Sequence, residues 1–290
     1  MGASYHDPAK LASNDGSKAN NKSVNDDLDA GYESETPGHV SLHKLAKTQG
    51  MNTDIRRAIF ISILSASDYK DAHMRLLKLH LKSKQEVEIP RVLLHCAGAE
   101  QVYNPYYTLI ARKLCSERKT QKPFQFALYD IFRRMGESSG NADDSDADEA
   151  EAEQMTTKKI VNLAKLYGAL IADGGLSITL LKTLNWAYMQ SKTVTFAEVL
   201  LTTVMLQAHK KGAEKFEGLV RDAFAQAQGA PDMVRGLRYF LETTVAKADI
   251  ANGKSERKVV KKGCETAVQT LAEAAIGPSM LDGEESMDDD

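Results

Sequence analysis

Apolar residues in this chain recur at every third or fourth position along most of its length and nowhere alternate, a pattern that admits packed helices and no sheet. After residue 51, Asn52 and Thr53 can cap a helix whose Ile55, Ile59, Phe60, Ile63 and Leu64 share one face. Ser67 is read as the cap of a second helix carrying Ala72, Leu76, Leu77 and Leu79. Val87, Ile89, Val92, Leu93 and Leu94 mark a third, with Pro90 in its first turn. Pro105 opens a fourth through Tyr106, Leu109, Ile110 and Leu114. Pro123 opens a fifth, in which Phe124, Phe126, Ala127, Leu128, Ile131 and Phe132 wrap most of the circumference; this predicts a central helix with Phe126 and Ile131 in the core. Thr156 and Thr157 start a sixth through Ile160, Leu163, Leu166 and Leu170, closed by Asp173-Gly174-Gly175. Short loops between amphipathic helices make neighbours antiparallel, so the expected fold class is all-α, helix hairpins stacked in a short HEAT-like solenoid.

Beyond residue 184 the pattern continues in a different style. Trp186, Tyr188, Phe196, Val199, Leu200, Val204 and Leu206 predict one or two helices, and three more are read over 216–224, 233–245 and 259–271. These either extend the stack or form a second small unit. The expected organisation is a polar, disordered leader over 1–50, a helical domain over 51–184 interrupted by an acidic loop at 137–154, a helical extension over 185–277 and an acidic, disordered tail over 278–290.

The formal net charge of -3 conceals a segregation. Residues 137–153 hold eight acids and no base, and 282–290 hold six and none. With these runs and the first 50 residues set aside, 19 acids face 32 bases, so the folded part is basic. A basic body with acidic appendages suits an RNA-rich assembly, where cations meet phosphate and acidic tails meet basic partners. No stretch reaches the ~20 apolar residues of a membrane span, and the start lacks the apolar run of a secretory signal, so a soluble intracellular protein is expected. Cys96, Cys115 and Cys264 lie far apart in apolar contexts and read as reduced packing residues.

Motifs that carry chemistry are missing. The sequence holds no GxxxxGKS, HExxH, GxSxG, paired Cys/His spacing or Gly-rich dinucleotide turn, and Gly174-Gly175 reads as a helix C-cap. His73, His80, His95 and His209 fall on separate helices with no second ligand type at i+3 or i+4, so no metal and no cofactor is expected. Carboxylates cluster only in the acidic runs, which cannot hold the fixed geometry of acid–base catalysis. A protein without catalytic residues follows. Tyr103, Tyr106 and Tyr107 near Arg112 and Lys113 could stack bases, although tyrosines at a helix start more often pack against the neighbouring hairpin.

The stretches MNTDIRRAIFISILSASDYKDAHMRLLKL, VLLHCAGAEQVYNPYYTLIARKLC, PFQFALYDIFRRM and KKIVNLAKLYGALIADGGLSI resemble the MA-3 domain. They are most similar to the C-terminal half of the nucleolar proteins that join a MIF-4G domain to an MA-3 domain, with YNPYY and AKLYGALIADGGL the most specific strings. The resemblance covers about 51–184, and the helices to 276 look like that family's C-terminal extension. It implies an adaptor in the nucleolus that binds a DEAD-box RNA helicase similar to initiation factor 4A during small ribosomal subunit assembly and pre-rRNA processing. By position the family's loop carboxylate maps onto Glu100, and its spaced aspartates map by location and charge onto Asp143, Asp144, Asp146 and Asp148 in the acidic run. Such an adaptor acts as a monomer within a large assembly.

A second reading makes the basic surface an RNA-binding or pre-ribosome-docking module, with Arg56, Arg57, Arg133, Arg134, Lys158, Lys159, Lys261 and Lys262 as candidates. A third is a regulator of translation initiation, as other MA-3 proteins are. Ser145 and Ser286 each stand three residues before an acid, the context of an acidophilic kinase site.

Overall fold

The computed structural model describes residues 41–137, 155–248 and 253–276, and among these every regular element is helical. The first, α1 (Leu42–Thr48), buries Leu45 and Ala46 against α2 (Asp54–Leu64). Helical structure is thus present from Leu42, within the stretch 1–50 expected as a polar leader. The short apolar face of α1, Leu42, Leu45 and Ala46, does not stand out from the polar sequence before it, and packing beside α2 is what stabilises the helix.

Thr53 caps α2 by accepting from the Arg56 N–H. The next helix, α3 (Tyr69–Lys78), is capped by Asp68, whose carboxylate accepts from the Lys70 and Asp71 N–H groups at 2.8 and 2.7 Å. Ser67, the expected cap, instead donates its N–H to Asp71 at 3.0 Å. A carboxylate both accepts the two N–H groups and complements the positive helix end, so it prevails over the neighbouring hydroxyl.

A single turn, α4 (Ser83–Glu86), leads into α5 (Glu88–Ala99), then α6 (Pro105–Leu114) and α7 (Arg118–Arg134). The last of these contains Pro123 instead of starting at it. Proline leaves the Lys119 carbonyl without its helical donor, and Lys119 lies at an exposed position where water can serve that carbonyl. Phe126 also departs from expectation. It is 59% exposed, while Phe124, Leu128, Ile131 and Phe132 are buried. The helix is thus amphipathic rather than buried all round, and Phe126 falls on its solvent face.

The long helix α8 (Thr157–Ala172), capped by Thr156, buries residues on all sides between α5, α6 and its successor. It ends at Asp173 with Gly174 in the left-handed region at φ 74°. After a 3₁₀ turn (Ile178–Thr183), Trp186 and Tyr188 lie in a connecting loop, not on a helix, and α9 (Ser191–Lys210) follows as one 20-residue helix. It lies along α8, and Gly168 permits the approach: a Cβ there would stand 2.6 Å from the Leu200 carbonyl oxygen. Then come α10 (Phe216–Ala225), α11 (Pro231–Thr243) and α12 (Gly253–Ile276), which packs against α9, α10 and α11. One apolar cluster runs from Leu45 to Leu271, so the later helices continue the stack.

Candidate functional site

Two hairpins meet at the turn between α5 and α6, and the sequence invests its most specific motif there. Asn104 caps α6 by accepting from the Tyr106 N–H, and Pro105 occupies the first helical position, where its missing N–H costs nothing. Tyr106 and Tyr107 are both fully buried. The Tyr106 hydroxyl donates to the Ile63 carbonyl at 2.6 Å, tying α6 to the end of α2. The Tyr107 hydroxyl donates to the Glu100 carboxylate at 3.1 Å. Burial pushes both phenols well above the ordinary tyrosine range, and the carboxylate beside Tyr107 adds to its shift. Neither ring can stack on a base.

Glu100 is the centre of this arrangement. It is 8% exposed and accepts from the Asn104 side chain at 3.2 Å as well as from Tyr107. Its own carbonyl accepts from the Asn162 amide of α8 at 2.8 Å, and the same amide reaches the Ala97 carbonyl at 3.3 Å. Lys159 is buried too, with its aliphatic stem against Gly98 so closely that a Cβ on that glycine would meet it at 2.8 Å. The expected free carboxylate of a polar loop is thus an internal fastener that ties three helices together. Its burial comes from α8, which lies some sixty residues away in sequence.

What the turn presents to solvent is Gln101 and Val102, the latter 77% exposed. Lys158 reaches across from α8 to the Gln101 side chain at 2.7 Å, and Lys165 sits over the Tyr103 ring at 5.7 Å from its centroid. Tyr103 also bonds the Thr108 hydroxyl. An exposed valine on a braced turn was not among the residues singled out in the sequence. Its signal lay in its position, in the short break between two helices, where an apolar side chain has no face to bury.

The other candidates are dispersed. Arg56 bonds Glu88 of α5 at 2.7 Å, and Arg57 is held by Asp54 and by the Met51 and Asn52 carbonyls, so both brace the start of α2. Arg133 pairs with Asp130 within α7, and Lys262 pairs with Glu217 of α10 at 2.6 Å. Arg134 and Lys261 stand at exposed positions on α7 and α12. Asp143, Asp144, Ser145, Asp146, Asp148 and Ser286 lie outside the described residues. At the far end of α8, Asp173 pairs with Arg112 of α6 and with Lys211 at 2.9 Å, which explains the aspartate of the AKLYGALIADGGL string as a cross-brace. The Tyr167 of that string donates to the Phe124 carbonyl at 2.9 Å. All three cysteines are buried, with Cys115 and Cys264 thiols pushed up to about 12 by burial. No group of three metal-ligating side chains forms among the described residues.

Both specific strings therefore fasten helix hairpins to one another, and residues 55–177 match the family model of the MA3 domain. The chain carries an MA3 domain. Such a domain is an interaction module rather than a catalytic one. The chain is 32% identical to Suppressor of glycerol defect protein 1 of Schizosaccharomyces pombe over 77% of its own length and 27% of that protein's. It is 33% identical to the Saccharomyces cerevisiae protein of the same name over 74% of its length and 26% of the relative's. Against Nucleolar MIF4G domain-containing protein 1 of Homo sapiens it is 35% identical over 57% of its length and 17% of the human protein's. It thus spans about a quarter or less of these curated relatives. The fungal match covers 223 residues, many more than the MA3 stretch, so the similarity runs into the flanking helices.

Proposed function

We propose that this chain is a non-catalytic adaptor of the nucleolus that docks a DEAD-box RNA helicase of the initiation factor 4A type during small ribosomal subunit assembly and pre-rRNA processing. The observation that carries the reading is the braced turn at residues 100–104 at the mouth of the α5–α6 hairpin. Glu100, Asn104 and Asn162 hold its backbone, so Val102 and Gln101 are offered in a fixed place with little ordering left to lose on binding. The first turn of α8 abuts this turn through Lys158, and the acidic run that contains Asp143, Asp144, Asp146 and Asp148 ends a few residues before that helix in the sequence. An apolar contact point next to the helix that the acidic run precedes in sequence suits a partner surface of Lys and Arg around an apolar patch. Glu100 then serves as a positioning residue, not as the contacting carboxylate. The nucleolar setting follows the relative named Nucleolar MIF4G domain-containing protein 1.

An adaptor of this kind changes a helicase only through unequal affinity for its lobe arrangements, so its effect reads out as a change in ATPase rate. The test is capture of purified initiation factor 4A-type helicases on the immobilised chain, comparing the wild type with Val102→Asp and with a deletion of residues 140–153. Each change is expected to weaken capture about tenfold or more at low salt while leaving the melting temperature within ~2 °C. Absence of capture by the wild type, or equal capture by all three proteins, would overturn the reading.

A further inference from the structure

Of the chain's eight phenylalanines, seven are buried, and Phe126 of α7 stands 59% exposed. The helix cannot roll to hide it. On its inner side Phe124, Leu128, Ile131 and Phe132 are buried, the Tyr167 hydroxyl donates to the Phe124 carbonyl, and Phe132 meets Phe196 of α9 edge-on at 5.7 Å. Folding alone gives no reason for a phenyl ring at this position. Phenylalanine is a poorer helix former than lysine, glutamine or alanine, and a ring left mostly in water gains little hydrophobic stabilisation.

The ring is not isolated. Helix spacing sets Lys122 and Pro123 one turn before it and Tyr129 and Asp130 one turn after it. Pro123 and Tyr129 are half-buried, and the Gln125 amide donates to the Tyr129 hydroxyl, which fixes that ring. An apolar strip of Pro123, Phe126 and Tyr129 therefore runs along the outer side of α7. Cations frame it, since the 17 residues of α7 carry Arg118, Lys119, Lys122, Arg133 and Arg134 against one carboxylate, Asp130. That carboxylate is already engaged by Arg133 and, at 3.7 Å, by Arg91 of α5. From Lys122 to Arg133 the strip is about 16 Å long, three turns of helix.

We infer that the outer side of α7 docks an acidic amphipathic helix of a protein partner, whose apolar side chains pack around Phe126 and whose carboxylates meet Lys122 and Arg133. A second copy of the chain fits poorly, because it sets one cationic face against another. Residues 138–154 are acidic but hold no apolar side chain larger than alanine with which to cover the ring. RNA is disfavoured because one ring on a convex helix offers a place for a single base and no groove to track a backbone. Aromatic and arginine side chains are instead enriched at protein interfaces. Phe126 and Val102 stand on separate elements, so the two contacts can be lost independently.

The test is fluorescence anisotropy of a labelled 21-residue designed helix, with leucine along one stripe and glutamate at its flanks, titrated with the full chain. The wild type is expected to saturate below ~100 µM at 50 mM KCl. Phe126→Ala should bind at least tenfold more weakly while its melting temperature stays within ~4 °C, because an exposed ring contributes little to folding. Lys122→Glu should weaken binding about fivefold at 50 mM KCl and less than about twofold at 300 mM, as salt screens charges at the rim. A peptide with lysine in place of glutamate should not bind. Failure of the wild type to saturate, equal binding by Phe126→Ala, or equal binding of the lysine peptide would overturn the inference. So would displacement of the peptide by oligouridylate, self-association that Phe126→Ala abolishes, or tighter binding once residues 278–290 are removed. These outcomes assign the strip to RNA, to a second copy and to the chain's own end. Helicase capture by Phe126→Ala should match the wild type, and its loss would make the strip part of the helicase contact rather than a second one.

Discussion

Glu100→Lys will unfold the hairpin junction before it can report on any partner. The carboxylate accepts from Tyr107 at 3.1 Å and from Asn104 at 3.2 Å in a setting 8% exposed. Lysine removes the acceptor from both donors and places an ammonium in a buried setting. Each orphaned buried donor costs ~1–3 kcal/mol, so the pair alone costs ~2–6 kcal/mol. For a chain of this size each kcal/mol moves the melting temperature by ~2–4 °C, which makes the expected drop about 4 °C or more. Glu100→Gln keeps an acceptor oxygen for both donors and loses only the strengthening that charge supplies, about 1 kcal/mol. Tyr107→Phe costs a similar amount, and combining it with Glu100→Gln should fall short of additivity by ~0.5 kcal/mol or more, because both act on one hydrogen bond. Urea titration followed by circular dichroism measures all four proteins. A Glu100→Lys midpoint within about 0.5 kcal/mol of the wild type would show the carboxylate to be solvated and would refute the junction as described. For helicase capture the informative variant is therefore Glu100→Gln, which is expected to bind as the wild type does.

In α7, Phe124→Ala should cost ~3–5 kcal/mol and Phe126→Ala less than ~1, since the first ring is fully buried and the second largely exposed; paired denaturant titrations decide it. Gly168→Ala should cost ~1–3 kcal/mol by forcing α8 and α9 apart, whereas Gly218→Ala on the open face of α10 should gain ~0.5–1 kcal/mol, both read from thermal melts. The three buried thiols should resist iodoacetamide at pH 8 in the folded chain and react only as it unfolds, which mass spectrometry across a urea series will show. Burial and the nearby Lys113 hold the His73 pKa below its ordinary 6.5. The unfolded chain then binds the extra proton first, so the stability due to this group is complete above pH 6.5 and is lost as pH falls toward the folded value. His73→Gln should flatten the stability profile in that window.

The sequence determined the helical class, the positions of most helices and the basic character of the folded part. Those features rest on local periodicity, caps and charge, as with Thr53 before α2, Thr156 before α8 and the Asp173-Gly174 stop. The MA3 resemblance was legible for the same reason, since YNPYY and AKLYGALIADGGL are short strings whose residue types have fixed tasks: a cap, an N1 proline, a glycine at a close crossing. Tertiary structure alone decided which face of a helix meets solvent where apolar residues crowd both sides. Phe124 and Phe126 differ in burial because neighbouring helices cover one side of α7 and leave the other bare. It also decided the fate of Glu100, whose polar identity suggested a surface loop until α8 packed against it and turned a charge into a fastener. Burial is a property of what packs on a residue from elsewhere in the chain, and no window around position 100 contains Asn162.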